Sequence, residues 1–458
     1  MVMEDKAEKG DVRSPTDTMG MVNVDASQTP RDNAPAAGAS PASPTPGSQA
    51  LLPDAVPDGG SAAWLVLLGS FVVMIATWGL VNTFGVYQTY YETDLLHDHS
   101  SSAISWIGSL QAAFLMVMGV VSGPLYDRGY VRQLVAAGLF LVVFGMFMTS
   151  LCASYWQVVL AQGICVGVGC GLLFLPSTAI LSQYFDRHRA VAIGVQSVGS
   201  PLAGIVFPII FSRLQPVVGF AWVTRIIAFI LLGMAPVPLL FLRTRVPPAK
   251  KRQAFLDVSA FGDVPYLVWG AAGFFAFLGL YVPFFYVQLN AIRYNITSAD
   301  FSAYLVTLLN AGSVFGRLLP SFLAARLGAM NMLIATTFSA SILAFGWLGV
   351  DSLAGVVVFA LLYGFCNGGV TSLPPSAIVT LTPDMGLLGT RMGMVFMVFG
   401  FAVLFGTPVA GAILRDPSDD GAWRGLIAFS ASTLCVGGVL FSLAQFLHLK
   451  RARRAGVS

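Results

Sequence analysis

The sequence GSPLAG occupies residues 199–204, and the sequence GTPVAG occupies residues 406–411. Each hexapeptide lies inside a long apolar stretch, the fifth and the eleventh along the chain. A second matching pair, Pro176-Ser177 and Pro375-Ser376, lies in the fourth and tenth stretches. The two pairs recur at offsets of 207 and 199 residues. Because each pair joins stretch n to stretch n + 6, the sequence predicts two homologous halves of six helices each.

Twelve continuous apolar stretches of helical length make up most of the chain. A helix that crosses a membrane needs about 20 apolar residues, whereas the strands of a membrane barrel would alternate apolar and polar residues. The predicted fold class is therefore an all-α membrane protein with twelve transmembrane helices in two pseudo-symmetric six-helix bundles. The predicted helices cover residues 64–86, 104–124, 133–152, 156–181, 190–211, 222–242, 266–289, 301–325, 332–349, 356–381, 392–414 and 426–447.

The composition excludes a large soluble domain. Of the 458 residues, 56% are hydrophobic and 10% are charged, and the mean hydropathy is +0.76. Soluble proteins carry about 25% charged residues, so this chain cannot cover a water-facing surface with polar side chains. The net charge of +3 is too small and too scattered to indicate a nucleic acid partner.

The residue pattern predicts no metal site, no cofactor and no enzymatic activity. The five cysteines lie in apolar stretches without the paired spacing of a metal or redox motif. None of the four histidines stands within a predicted helix at metal-ligand spacing. The sequence also lacks a phosphate-binding loop of the Walker type.

The chain divides into five predicted regions. Residues 1–57 are rich in Ala, Pro, Ser and Asp and contain no aromatic residue, so we expect a disordered cytosolic arm. Residues 58–242 form the N-terminal six-helix bundle and residues 265–449 form the C-terminal one. A cytosolic linker at residues 243–264 joins them, and a basic cytosolic tail at residues 450–458 follows.

The positive charges predict the orientation of the chain. Most of the 25 Lys and Arg residues fall on one side of the predicted helices, and cytosolic loops carry such an excess. An even number of helices then places both termini in the cytosol, and the plasma membrane is the expected location. The Asn-x-Ser/Thr sequon at Asn295 falls on a predicted outer loop, so Asn295 is a candidate glycosylation site.

The turn after the second helix reads GPLYDRGYVR at residues 123–132. This turn fits G-x-L-x-D-R-G-x-x-R at every fixed position and resembles the major facilitator superfamily. Two further stretches, PDGG at residues 57–60 and YFDRHR at residues 184–189, are similar to the monocarboxylate-transporter family and its fungal relatives. The resemblance covers all twelve helices. It implies a secondary transporter whose two halves rock about a central site.

Three positions depart from the resembled families. Asn82 stands where animal members carry a Lys that engages the substrate carboxylate, and Ser313 stands where they carry an Asp one turn before an Arg. Val159 stands four residues before Gly163, where many proton-coupled members of the wider superfamily carry an Arg. These departures argue against proton-coupled uptake of the lactate type.

Charged residues beside two helix ends are predicted to form an inner gate. Asp127, Arg128 and Arg132 follow the second helix, and Arg326 follows the eighth, 198 residues after Arg128. A cluster of ion pairs and helix dipoles there would hold the halves together when the site faces outward. The alternative is that these long charged side chains simply reach from the membrane edge into water. Ala325 replaces the acid in the second turn, so we expect the gate to be asymmetric.

Arg317 is predicted to lie inside the eighth helix, roughly 12 Å from its end at about 1.5 Å per residue. A central Arg costs about 2.5 to 3.5 kcal/mol on insertion scales, so its side chain should face the cavity. A guanidinium binds a carboxylate, phosphate or enolate bidentately. The predicted role is therefore substrate binding or coupling, and the alternative is pairing with another helix or with backbone carbonyls.

Other polar and aromatic side chains are candidate lining of a central cavity. Each of these residues, taken alone, also suits an ordinary hydrogen bond between packed helices. Pro283 frees a backbone carbonyl and can kink the seventh helix. The tyrosines on either side of it are therefore stronger candidates for the lining of the cavity. The candidate substrate-binding residues besides Arg317 are Asn82, Gln196, Tyr281, Tyr286, Asn310 and Asn367.

The leading functional prediction is a secondary transporter that exports an organic anion or a secondary metabolite, because fungal relatives of the resembled family carry such solutes. Two alternatives stay open: a proton-coupled monocarboxylate uptake carrier, and a non-transporting membrane sensor of the same fold. The expected partners are the lipid bilayer and a small-molecule substrate that is anionic or carboxylate-bearing. The sequence leaves open whether protons are the coupling ion. The expected working unit is a monomer.

Overall fold

The computed structural model describes residues 58–245, 256–302, 304–382, 384–414 and 419–454. The disorder predicted for the N-terminal arm therefore lies outside the described residues, as do the middle of the linker and the end of the tail.

The described part of the chain holds eleven continuous helical stretches that are long and apolar enough to cross a membrane. Ten of them correspond to one predicted helix each, and the fifth comprises two. In chain order they are α1 (Ser61–Leu95), α2 (Ala103–Asp127), α3 (Val131–Thr149), α4 (Tyr155–Gln183), the stretch Arg189–Phe241 that contains α5 and α6, α7 (Val264–Arg293), α8 (Tyr304–Leu327), α9 (Ala329–Gly349), α10 (Leu353–Thr380), α11 (Met385–Ile413) and α12 (Asp420–Arg454).

The stretch Arg189–Phe241 folds back on itself at Gly219, which separates α5 (residues 189–218) from α6 (residues 220–241). Gly219 has φ 78° and ψ 166°, a conformation outside the helical region that suits Gly. The rings of Phe211 and Phe220 lie 6.3 Å apart, although nine residues of straight helix would separate them by about 13 Å. The predicted twelve-helix fold is thus confirmed.

The helices form two halves that meet along two contacts. In the first contact α2 packs against α11, and in the second the beginning of α5 packs against α8. Large apolar side chains such as Phe140, Ile342 and Phe446 are exposed on the outer surface, as expected for a surface that faces lipid. We call the end of the molecule that bears Asp127 and Arg391 the inner end, which is the predicted cytosolic side, and the opposite end the outer end.

The first helix of each half contains an irregular turn. In α1 the helix widens into a π turn at Ile75–Gly79. In α7 the regular helix stops at Leu280 and resumes at Val282, so that Tyr281 lies at the interruption. Pro283 follows there and has no N–H to donate. Both irregular turns lie at the level where the two halves face each other.

Helix ends differ modestly from the predicted bounds. The last helix continues through Arg454, about two turns beyond the predicted end at residue 447, so the first residues of the predicted basic tail are helical. Asn295 is exposed in the loop after α7 with φ 52°. Its glycosylation stays a prediction.

Candidate functional site

A cavity of about 570 Å³ lies between the two halves and opens at the outer end. Its size suits an organic ligand. Uncharged polar side chains such as Asn82, Gln215 and Gln288 share its wall with aromatic rings, and two carboxylates, Glu92 and Asp94, line its mouth. No Lys or Arg belongs to the lining that the structure describes. The aromatic residues of this outer cavity are Trp78, Phe84, Tyr90, Phe211, Tyr281, Phe284 and Phe285.

At the inner end, Asp127 forms a contact with the beginning of α11 in the opposite half. The Asp127 carboxylate is buried and accepts hydrogen bonds from the backbone N–H of Gly389 (3.0 Å), the backbone N–H of Thr390 (2.7 Å) and the Thr390 hydroxyl (2.7 Å). A helix N-terminus favours negative charge, so this contact joins the halves electrostatically. A Cβ on Gly389 would lie 2.6 Å from Asp127 Oδ1, and this close approach requires Gly.

The other predicted gate residues lie around this contact. Arg128 is half-buried next to Asp127, whereas Arg132 and Arg326 are exposed. Asp127 bonds to Gly389 and Thr390 of the opposite half. The gating role of all four residues stays a prediction.

Arg317 is buried beneath the outer cavity. Its Nε donates to Ser313 Oγ (3.3 Å), and its Nη1 donates to the backbone carbonyl of Ser197 in the opposite half (3.1 Å). No carboxylate of the described residues forms an ion pair with it. Arg317 lines a second, much smaller hollow of about 20 Å³, which we call the inner pocket.

Two of the other predicted substrate-binding residues, Asn82 and Tyr281, line the outer cavity. Asn310 contacts Asn82 across the halves at 3.4 Å, and Tyr286 donates to the backbone carbonyl of the lining residue Thr407 at 3.4 Å.

The last two predicted substrate-binding residues lie away from the outer cavity lining. Gln196 donates to Thr178 within its own half (3.0 Å), and Asn367 is buried in α10. Gln196 Oε1 and Asn367 Nδ2 find no partner among the described residues. Such orphaned buried groups require an explanation.

A buried ion pair at the inner end was missed from the sequence. Arg391 donates through Nε to Asp257 (2.7 Å) and lies 3.5 Å from Asp263, and it also donates to the Leu381 carbonyl (3.1 Å). Burial alone would raise the pKa of Asp257, but hydrogen bonds from Ser259 and Arg391 and the charge of Arg391 hold it below its usual value. The end of the linker is therefore fastened to the first turn of α11.

The N-terminal half carries an equivalent contact. Asp58, just before α1, accepts hydrogen bonds from the backbone N–H groups of Asp186 and His188 (both 3.0 Å), just before α5. Burial alone would raise the pKa of Asp58, but these hydrogen bonds lower it. Asp58 and Asp263 are 205 residues apart. That offset lies between the repeat offsets of 198 and 207 residues. It is the sequence signal that could have revealed Asp263 as the C-terminal counterpart of Asp58.

Twelve membrane-crossing helices in two halves, with a cavity between them that is closed at one end, define a carrier of the alternating-access class. The family model described as Major Facilitator Superfamily matches residues 59–386. This chain belongs to the major facilitator superfamily.

Three known proteins illustrate the likeness. The "MFS-type transporter dbaD" of Emericella nidulans is 42% identical over 387 residues, which cover 84% of this chain and 87% of the relative. The "Aspyridones efflux protein apdF" of the same organism is 41% identical over 385 residues, which cover 84% of this chain and 78% of the relative. The crystal structure of the human organic anion transporter MFSD10 (TETRAN) matches with a TM-score of 0.63 at 16% identity, covering 83% of this chain and 98% of that chain. At 16% identity this likeness concerns the fold alone.

The superfamily predicted from residues 123–132 is therefore confirmed. The matching family model describes the superfamily as a whole, so membership of the monocarboxylate-transporter branch stays a prediction. The relatives are named as transport or efflux proteins, in line with the expectation of a transporter and not an enzyme.

Proposed function

We propose that this protein is a secondary transporter that exports a small organic secondary metabolite across the plasma membrane by alternating access. The observation that carries the proposal is the aromatic cavity of about 570 Å³ between the halves, which opens at the outer end, while Asp127 bonds across the halves at the inner end. The pathway lies within one chain, so the proposed working unit is a monomer.

The electrostatics of the cavity support export over uptake. Glu92 and Asp94 line the mouth, and the described lining contains no Lys or Arg. A monocarboxylate that approached from outside would meet like charge, which disfavours binding. The efflux protein named for aspyridones, at 41% identity, supports the same direction and a metabolite as the solute.

We further propose that the solute carries an acidic group and that Arg317 binds it when the inner end opens. Arg317 is a buried cation at the boundary between the halves, and its acceptor across that boundary is a backbone carbonyl. Opening the inner end would remove that acceptor. Arg317 would keep its bond to Ser313, but a buried guanidinium without a counter-charge is costly, so an anionic group from the solute would take the place of Ser197.

Gene deletion in the native host tests the proposed function. Untargeted mass spectrometry would compare each small molecule in the cells and in the medium, with and without the gene. We expect at least one organic metabolite to accumulate in deletion cells and to fall in the medium, and the wild-type gene to reverse both changes. An unchanged ratio for every metabolite, under conditions where the protein is expressed, would contradict export.

A further inference from the structure

Aromatic rings and one cation line the inner pocket. Its volume of about 20 Å³ leaves no room for an organic solute in this conformation. Aromatic rings from both halves surround one guanidinium. The aromatic rings and the cation of this pocket are Trp78, Phe174, Phe277, Tyr281, Phe396 and Arg317.

Trp78 and Tyr281 separate the inner pocket from the outer cavity. Both side chains line both hollows. Their rings are stacked with centroids 6.1 Å apart and an interplanar angle of 8°. Trp78 belongs to the π turn of α1, and Tyr281 lies at the interruption of α7. The two residues are 203 positions apart, between the repeat offsets of 198 and 207 residues, so each half contributes one equivalent ring.

This aromatic partition crosses the boundary between the halves, so it must part when the halves rock. π turns are frequent at functional sites because they place a side chain out of helical register. Aromatic rings that face each other in an offset stack provide a flat surface for another ring. The partition is therefore suited to a planar solute that replaces one ring of the stack.

The accessibility of the positive charge differs between the two conformations. With the inner end closed, Arg317 is buried, bonded to the Ser197 carbonyl of the opposite half, and shares the lining of the inner pocket with Tyr281. The space open to the outside then has two carboxylates and no Lys or Arg in its described lining. With the inner end open, the bond from Arg317 to Ser197 has to break because its two partners belong to different halves.

We propose that the inner pocket, when opened toward the cytosol, is the binding site for a planar aromatic organic anion, and that closure releases this anion by returning Arg317 to Ser197. The aromatic body would lie on Trp78 and Tyr281, and the acidic group would pair with Arg317. This inference rests on the proposed function and deepens it by naming the class of solute. It also predicts that the two faces of the carrier differ in affinity for the anion, because a ligand shifts a two-state equilibrium by the difference in its affinity for the two states.

The test uses the full chain in vesicles of known orientation, with 2-naphthoate as the probe. Half-saturation of naphthoate transport would be measured with the probe on the cytosolic face and then on the outer face. We expect half-saturation at about tenfold lower concentration on the cytosolic face, the effect of one charge-assisted contact. Uncharged 2-naphthamide and non-aromatic decahydro-2-naphthoate should each show a weaker preference.

Variants then assign the preference to residues. Arg317→Gln should abolish the difference between the faces for naphthoate, and Arg317→Lys should retain part of it. Tyr281→Leu should weaken naphthoate more than decahydronaphthoate. Phe315 lies on the same helix as Arg317 but is exposed on the outer surface. The control variant Phe315→Leu should therefore leave the difference between the faces unchanged. Size-exclusion profiles would confirm that each variant is folded.

Equal half-saturation on both faces of the wild-type protein would overturn the inference, as would a naphthamide preference equal to that of naphthoate. These wild-type comparisons decide the question even if the Arg317 variants do not fold. If aromatic acids show no sidedness but the deletion assay still detects an exported metabolite, the inference fails and the proposed function stands. If the deletion assay also detects none, both fail.

Discussion

Asp127 shows how one side chain can hold two halves of a carrier together. Three donors from the first turn of α11 surround its carboxylate. The motif at residues 123–132 predicts that this acid matters, but its partners are mostly backbone N–H groups 262 and 263 residues away. Every residue except Pro has a backbone N–H, so the sequence does not mark which ones bond to Asp127. Only the tertiary structure identifies Gly389 and Thr390 as its partners.

Replacing Asp127 by Asn should weaken the closure of the inner end. The amide removes the charge and turns one acceptor into a donor that faces other donors. Hydrogen bonds to charged groups contribute about 1.5 to 3 kcal/mol, so we expect about a tenfold larger inward-open fraction and slower export. Export rates from loaded vesicles would measure the change. Asp98→Asn, on an exposed outer loop, is the control, and equal rates for both variants would contradict the role of Asp127.

The first turn of α11 is the element on which the inner end depends. Gly389 and Thr390 donate backbone hydrogen bonds to Asp127 of the opposite half. The next residue, Arg391, forms ion pairs with Asp257 and Asp263 of the linker. The interhalf contact and the linker anchor therefore share one helical turn. The internal repeat predicts where α11 begins, but it does not predict that two acidic segments converge there.

Asp257→Ala should destabilise the protein near neutral pH. Removing one partner of a buried ion pair costs about 3 kcal/mol, although Asp263 remains near Arg391. Folding lowers the pKa of Asp257, so the ionised form stabilises the fold above the unfolded pKa of about 4. This stabilisation is lost as the pH falls through the folded-state pKa.

Thermal unfolding of the two proteins from pH 8 down to pH 3 checks this prediction. The Tm of Asp257→Ala should lie several degrees below that of the wild-type protein at pH 7, and the difference should narrow as the pH falls below about 4. A Tm difference that stays constant down to pH 3 would show that Asp257 acts through packing and not through its charge.

Gly219 allows α5 and α6 to fold back on each other. Its φ of 78° and ψ of 166° lie in a region that is essentially restricted to Gly. Gly219→Ala should therefore lower the free energy of unfolding by about 1 to 3 kcal/mol, although a Cβ there meets no neighbour within 4 Å. Gly233→Ala is the matched control because Gly233 is helical and equally uncrowded. Denaturant titration in detergent should show a loss for Gly219→Ala and none for Gly233→Ala.

At the scale of the whole molecule, two halves enclose a cavity that opens to one side at a time. The outer cavity holds about 570 Å³ and the inner pocket about 20 Å³, and the partition of Trp78 and Tyr281 lies between them. Rocking of the halves should exchange these roles. The two sides should therefore respond in opposite directions to any change at the inner end.

Cysteine labelling can detect this reciprocity. In a background without the five native cysteines, Thr307→Cys reports on the outer cavity and Thr371→Cys on the inner pocket. Adding Asp127→Asn should speed labelling of Thr371→Cys by about tenfold and slow labelling of Thr307→Cys, because the outward-open and inward-open fractions sum to one. Parallel changes at both positions would indicate loosening of the fold instead of rocking.

The membrane class, the twelve helices, the superfamily and the position of a buried Arg could all be predicted from the sequence, because they follow from apolar length, internal repetition and a local motif. The Gly219 break, the stacked ring pair and the anchors of α11 were decided by the tertiary structure. Each of them joins residues from distant helices or uses backbone atoms, and a one-dimensional pattern records neither the distance between helices nor which conformation of a two-state carrier is closed.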